Sequence, residues 1–315
     1  MISKYRRFLG ASIALSVAAL ASVSSAADAP DATHRGRSSV YNNLNNASLE
    51  AVSTPEAMLT QVSALLKAPN SVAPTAIWTM LEHGERVECL GCIPYVSKML
   101  YNSNAKTREI SAWWLRRRIF GVFGPGEAYE QTINTVGDQA KSELTRAYAA
   151  NALGEFLEHA GIEPVSHALV SDSSPVVRLA AANALIRLNS QGSSQELASA
   201  LTDSDEAVRL AALNGVTHIN VFSKVDGVVG LISDPSAAVR RRAAQTLGML
   251  KSADAVVGLI ALTFPTNESD AGVRAAAVWA LGQIADPQAR DAVMAATNDS
   301  DSSVRDAAGI ALFRL

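Results

Sequence analysis

Cys89 and Cys92 enclose Leu90 and Gly91 and are the only two cysteines in the chain. A covalently attached haem would need histidine directly after the second cysteine, and Ile93 stands there. A zinc site would need two more ligands, for which only His83 and Glu88 lie near in sequence. For an exported chain the ordinary outcome is a disulfide; a redox-active thiol pair is the alternative, since this spacing can lower a thiol pKa.

A second set of reactive side chains recurs. Asp172, Asp203, Asp234, Glu268 and Asp299 each stand six residues before an arginine: Arg178, Arg209, Arg240, Arg274 and Arg305. A carboxylate and a guanidinium can share catalytic work, but a catalytic constellation occurs once per chain and this pair occurs five times. The repetition predicts architecture: the carboxylate satisfies a guanidinium held against the core and ties successive turns together.

A third set lies five residues after each arginine, about 140° around a helix from it. That column reads Trp113, Asn151, Asn183, Asn214, Gln245, Trp279 and Ile310 when Arg108 and Arg146 are included as earlier members of the series. Side-chain amides donate and accept hydrogen bonds, which suits an extended peptide backbone or a carbohydrate. A solvated ladder, or amides bonding between neighbouring helices, would use the same residues. Between Trp113 and Tyr129, Trp114, Arg116, Arg117, Arg118 and Phe120 precede a Gly-Pro-Gly turn ending at Gly126. Tryptophan and arginine suit a partner anchor; equally, the aromatics suit the gap left by an irregular repeat. The glycines lack the lysine and spacing of a phosphate-binding loop.

The elements that must position these residues follow from the period. The five arginines are 31, 31, 34 and 31 residues apart, the mark of stacked helical repeats. The third residue after each is Ala181, Ala212, Ala243, Ala277 or Ala308; the seventh is Leu185, Val216, Leu247, Leu281 or Leu312; the tenth is Leu188, Ile219, Leu250, Ile284 or Leu315. These positions share one helical face and predict the core. With 48% apolar but only 5% aromatic residues, that core must be built from small and aliphatic side chains. A shorter apolar segment precedes each arginine helix, so every repeat reads as a helical hairpin. Ser174 before Pro175, and Asp205, Asp234, Asp270 and Asp301, are expected to cap the helix starts.

The phrase Asp234 to Leu250 and the run Val278-Trp-Ala-Leu-Gly-Gln-Ile284 resemble HEAT repeats of the short type found in phycobilisome-lyase-like proteins. The likeness is strong over residues 140–315 and weaker over 55–139. It implies an all-α fold, a right-handed superhelical, armadillo-like α-solenoid of about eight hairpins. It also implies that the arginine-bearing helices line a concave groove carrying the amide column. Members of this class range from scaffolds to lyases, so the resemblance carries a shape and no activity. The iron-binding His-Glu pairs of HEAT-fold hydroxylases have no counterpart: Glu82-His83 and Glu158-His159 run in the reverse order.

The N-terminus reads as an address. Lys4, Arg6 and Arg7 precede an apolar run from Phe8 to Val23 and small residues at Ser24-Ser25-Ala26, the pattern of a secretory signal over residues 1–26. Residues 27–54 read as a flexible polar leader. Cleavage after Ala26 would leave 24 basic against 30 acidic residues, a balance that disfavours nucleic acid. No later segment is long and apolar enough to span a membrane. The expectation is therefore a periplasmic or extracellular, non-enzymatic scaffold that binds a protein or peptide, with no cofactor or metal. Thiol redox chemistry at Cys89 and Cys92, and less strongly a lyase-type activity, are the alternatives. The chain's last run, Ile310 to Leu315, lacks a polar capping repeat, so self-association through that edge is a further expectation.

Overall fold

The computed structural model describes residues 54–67, 72–121, 124–189, 194–218 and 225–315. The predicted signal, the leader as far as residue 53 and Ile219 lie outside them. Sixteen α-helices are described, and from the second hairpin onward a shorter one precedes a longer one. The shorter or outer members are α1 (Pro55–Leu65), α3 (Ile93–Met99), α5 (Glu127–Gly137), α7 (Ile162–Ser171), α9 (Ser194–Ala200), α11 (Val225–Gly230), α13 (Val256–Leu262) and α15 (Arg290–Ala296). Their partners are α2 (Pro74–His83), α4 (Ala105–Ile119), α6 (Glu143–Phe156), α8 (Pro175–Leu188), α10 (Glu206–His218), α12 (Ala237–Leu250), α14 (Ala271–Ile284) and α16 (Ser302–Leu312). Paired in order they make eight hairpins, stacked as an α-solenoid.

From α4 onward, each long helix carries the repeat arginine as its fourth residue. The predicted core face is buried: the alanines Ala149, Ala181, Ala212, Ala243, Ala277 and Ala308 are fully enclosed, as are Leu153, Leu185, Leu247 and Leu281. Leu188, Leu250, Ile284 and Leu315 sit partly buried at its margin. Small side chains at the buried alanine positions let the long helices approach one another. Three glycines, Gly154, Gly248 and Gly282, bring them closer still. A methyl group on any of them would fall 2.7–2.8 Å from the Cα of Ala184, Ala280 or Ala311 of the next long helix. At the equivalent positions α8 and α10 carry Ile186 and Thr217.

The capping expectations hold in part. Asp205, Asp270 and Asp301 accept backbone amides at the starts of α10, α14 and α16. Ser174 makes no such cap; its hydroxyl donates to Glu143 Oε2 of the preceding long helix at 2.6 Å. Asp234 does not cap either. Its helix begins later, at Ala237, and Ser236 is the cap, while Asp234 is drawn to the arginine described below. At the other end, α6, α8, α12 and α14 each close on a residue in the left-handed region: Leu157, Asn189, Lys251 and Ala285, with φ of 58°, 46°, 51° and 61°. Among the described residues the helical pattern is interrupted by a two-residue antiparallel ladder, β1 (Phe120–Gly121) with β2 (Gly124–Pro125), within the long interval from Arg108 to Arg146. Sequence patterning did not predict it.

Candidate functional site

The recurrent arginines are placed by the starts of the long helices, and their partners differ from those the spacing predicts. Arg178 does not bond the carboxylate of Asp172 six residues before it. Its Nη1 donates to the Asp172 backbone carbonyl at 3.0 Å, while Nε and Nη2 reach across to Asp203 Oδ2 and Oδ1 at 2.7 and 2.8 Å. The same bidentate fork links Arg146 to Asp172, Arg209 to Asp234, Arg240 to Glu268 and Arg274 to Asp299. The pairing is thus shifted by one repeat. Each carboxylate also accepts the backbone amide two residues on, as Asp172 does from Ser174 and Asp299 from Asp301, which fixes its side chain toward the preceding repeat. Among the described residues Arg305 bonds only the carbonyls of Asp299 and Ser300, and it is exposed.

The forks are buried and charge-assisted. Asp299 is held below the usual carboxylate range chiefly by the Arg274 hydrogen bonds, against the opposing effect of burial. At Asp172, Asp203 and Glu268 burial is the larger single influence and pushes upward, but the arginine and backbone hydrogen bonds together outweigh it and the carboxyls titrate low. Bonding to carboxylate raises Arg146, Arg178, Arg240 and Arg274 in return. A second rung reinforces the first: Glu143 accepts from Ser174 and Glu206 from Ser236, again across one repeat. Neither rung was evident from the sequence.

Cys89 and Cys92 form a disulfide in the turn between α2 and α3. They are 1% and 0% exposed and belong to the hydrophobic core, so the sulfurs offer no face to a partner thiol. Among the described residues no group of three His, Cys, Asp or Glu side chains is disposed to hold a metal ion.

The amide column faces outward. Asn151, Asn183, Asn214 and Ile310 are exposed, and Trp113, Gln245 and Trp279 are half-buried. None of the four amide side chains bonds another described residue, so they do not serve as struts between helices. Trp279 leans back over Gly248, its ring edge 2.8 Å from where a methyl group there would lie. Trp113 stacks on Trp78 with ring centroids 4.8 Å apart, and Arg117 caps it at 5.5 Å. The aromatic segment divides. Trp114 and Tyr129 are fully buried and pack the irregular repeat, Tyr129 against Phe156; burial, with Glu158 nearby, pushes the Tyr129 hydroxyl up to about 12. Arg118 lies over Trp114 at 3.8 Å, and burial, reinforced by Arg117, takes its guanidinium down to about 10.

A stack of helical hairpins locked by inter-repeat forks, with one column of residues facing outward, defines a helical-repeat architecture. Residues 136–217, 194–263 and 225–313 match the family of HEAT repeats. The chain belongs to the HEAT repeat family. A comparison with curated proteins finds no match. Among solved structures, the Escherichia coli protein YibA is similar at 16% identity and a TM-score of 0.51, over 78% of this chain and 98% of that one. Human deoxyhypusine hydroxylase aligns at 18% identity over 85% and 94% of the two chains, TM-score 0.35. The CpcE–CpcF complex of phycocyanin lyase from Nostoc aligns at 20% identity over 70% and 86%, TM-score 0.39. At 16% identity the likeness to YibA speaks to the fold alone.

Proposed function

We propose that this HEAT-repeat chain is an exported, non-enzymatic scaffold that binds a protein or peptide partner along the amide column. The observation that carries the reading is the contrast between the two faces of the long helices. One face is spent on stacking, through buried alanine, leucine and forked arginine. The other presents Asn151, Asn183, Asn214 and Gln245 to solvent on successive helices, with Trp113 and Trp279 among them. Hydrogen-bonding amides at a regular interval suit an extended chain, whose backbone presents donors and acceptors along its length. No helix among the described residues is long and apolar enough to cross a membrane, and the predicted signal supports export. The burial of the Cys89–Cys92 disulfide weighs against thiol exchange as the primary role.

The test is site-specific photocrosslinking in the native envelope. A photoreactive residue at Asn183 or Asn214 is expected to capture a partner, and one at the exposed Val257 on α13 is expected to capture none. Equal capture from both faces, or capture from Val257 alone, would refute the groove.

A further inference from the structure

The exposed face of the long helices carries arginines that differ in one respect. In the N-terminal half they are partnered by protein: Arg187 bonds Glu155 at 2.6 Å and Arg117 bonds Glu85. On α12, Arg240 takes Glu268, but the next two residues, Arg241 and Arg242, make no hydrogen bond or ion pair with any described residue. Arg242 is the more telling. Its Nε is buried without a hydrogen-bond partner, and burial pulls its guanidinium below the ordinary arginine value with no carboxylate offsetting the effect. A buried Nε–H left without an acceptor is costly, and a protein that forks five other arginines onto carboxylates supplies none here.

The surroundings are those of the column. Gln245 is one turn from both arginines on the same helix face. Trp279 of α14 rests against Gly248, one turn further on, and Arg241 extends toward the start of α14, its Nη1 3.4 Å from where a methyl group on Gly272 would lie. Asp270 lies beside the same glycine; its Oδ1 accepts the Val273 amide at 2.9 Å, and it makes no ion pair with Arg241.

We infer that Arg241 and Arg242 form a carboxylate-recognition point for an acidic segment of a peptide partner, whose adjoining backbone runs past Gln245 and whose apolar flank meets Trp279. This rests on the column being the binding face and names the chemistry of what it binds. The peptide carboxylate is favoured over a polyphosphate because the chain is net acidic, with 30 acidic against 27 basic residues, and so disfavours a dense anion while one or two carboxylates fit a paired fork.

The test uses the purified full chain and blocked Gly-Ser peptides carrying either two glutamates or two glutamines, read by tryptophan fluorescence and by calorimetry. The glutamate peptide is expected to bind, to weaken with added salt, and to bind about tenfold or more weakly to the double variant Arg241→Gln/Arg242→Gln. Because neither arginine belongs to the inter-repeat forks and the buried Arg242 Nε–H is a cost to the fold, that variant is expected to keep its helical signal and to unfold at a midpoint no lower than that of the unaltered chain. Gln245→Glu, which adds a like charge without removing either arginine, is expected to weaken binding as well, and Trp279→Phe to remove most of the fluorescence response. Equal binding of the glutamine peptide, unchanged affinity in the double variant, tighter binding of tripolyphosphate than of the glutamate peptide, or no binding at all would each overturn the assignment. Crosslinking from Asn183 and Asn214 reads the column independently, so this point can fail while the scaffold reading stands.

Discussion

Arg274 Nε and Nη2 hold Asp299 Oδ2 and Oδ1 at 2.8 and 2.9 Å, across a repeat boundary and 25 residues apart in sequence. Both side chains are almost wholly buried, so removing either strands the other's charge. Asp299→Ala is expected to cost about 3–5 kcal/mol, while the double change Arg274→Met/Asp299→Leu costs less than either single loss because no charge is left unpaired. Arg305→Gln supplies the comparison: the Arg305 side chain is exposed and bonds no carboxylate among the described residues, so its loss should cost about 1 kcal/mol or less. Chemical denaturation of the four proteins measures this. If Arg305→Gln were as damaging as Asp299→Ala, each arginine would be acting within its own repeat and the one-repeat shift would be wrong.

The same forks set an acid limit. Asp172, Asp203, Glu268 and Asp299 titrate lower when folded than when unfolded. Stability from a depressed carboxyl is complete above its unfolded pKa and is lost as pH falls through the folded value. Stability is therefore expected to be level from about pH 5 upward and to fall below about pH 4. Asp299→Asn should flatten part of that fall. A midpoint that rose on acidification would contradict the assignment.

Much of this fold was legible because a stacked array writes its core in register: the alanines and the leucines at Leu185, Leu247 and Leu281 are buried where the period put them, while Leu188, Leu250, Leu312 and Leu315 sit half-buried at the margin. The pairing was not, for a physical reason. In a solenoid each residue neighbours its own repeat and the copies one period away, so a carboxylate six residues before one arginine also lies 25 residues after the previous one, as Asp203 lies after Arg178. Sequence spacing cannot choose between them. The choice falls to the turn, where the Asp172 carbonyl receives its own arginine and its carboxylate, fixed by the Ser174 amide, faces backward. Asp234 was misread as a cap for the same reason, since an aspartate before proline looks like a helix start until its carboxylate is claimed by Arg209. The outward face was legible from helical phase alone. The isolation of Arg242 was not, because it depends on which carboxylates fail to reach it.

The disulfide yields a separate expectation. Cys89 and Cys92 close a very short loop, which limits the entropy the bond removes from the unfolded chain; reduction should cost about 2 kcal/mol. Both sulfurs are enclosed, so native protein incubated in glutathione buffer should take up no alkylating label, whereas protein unfolded in denaturant should be reduced and labelled at both sites. Rapid labelling of the native state would revive the thiol-exchange reading.

Left-handed closures offer a gain in stability. Ala285 ends α14 at φ 61°, a conformation that costs a residue with a Cβ about 1–2 kcal/mol. Its amide still bonds the Leu281 carbonyl, so glycine would keep the cap while removing the strain. Ala285→Gly is expected to raise stability by up to about 1 kcal/mol, since the added freedom of the unfolded glycine returns part of the benefit. Thermal unfolding decides it, and a lower midpoint would mean that the Ala285 methyl contributes packing that outweighs the strain.

Glycines within the long helices should behave in opposite ways according to what lies over them. Gly248 of α12 faces Ala280, where a methyl group would stand 2.7 Å from the Cα and 2.9 Å from the Cβ, and the Trp279 ring closes the remaining side at 2.8 Å. Backbone cannot yield as a flexible side chain does, so Gly248→Ala must push α12 and α14 apart, at about 1–3 kcal/mol. Gly309 of α16 has nothing within 4 Å of the same position. There Gly309→Ala should gain about 1 kcal/mol, the ordinary preference of a helix interior for alanine over glycine. Measured side by side by denaturation, the two substitutions share their chemistry and differ only in the neighbouring helix. A shift of the same sign in both would show that helix propensity, rather than the approach of one repeat to the next, governs these positions. Opposite signs would place Gly248 among the residues that set the spacing of the solenoid, and with it the distance from Gln245 to Trp279.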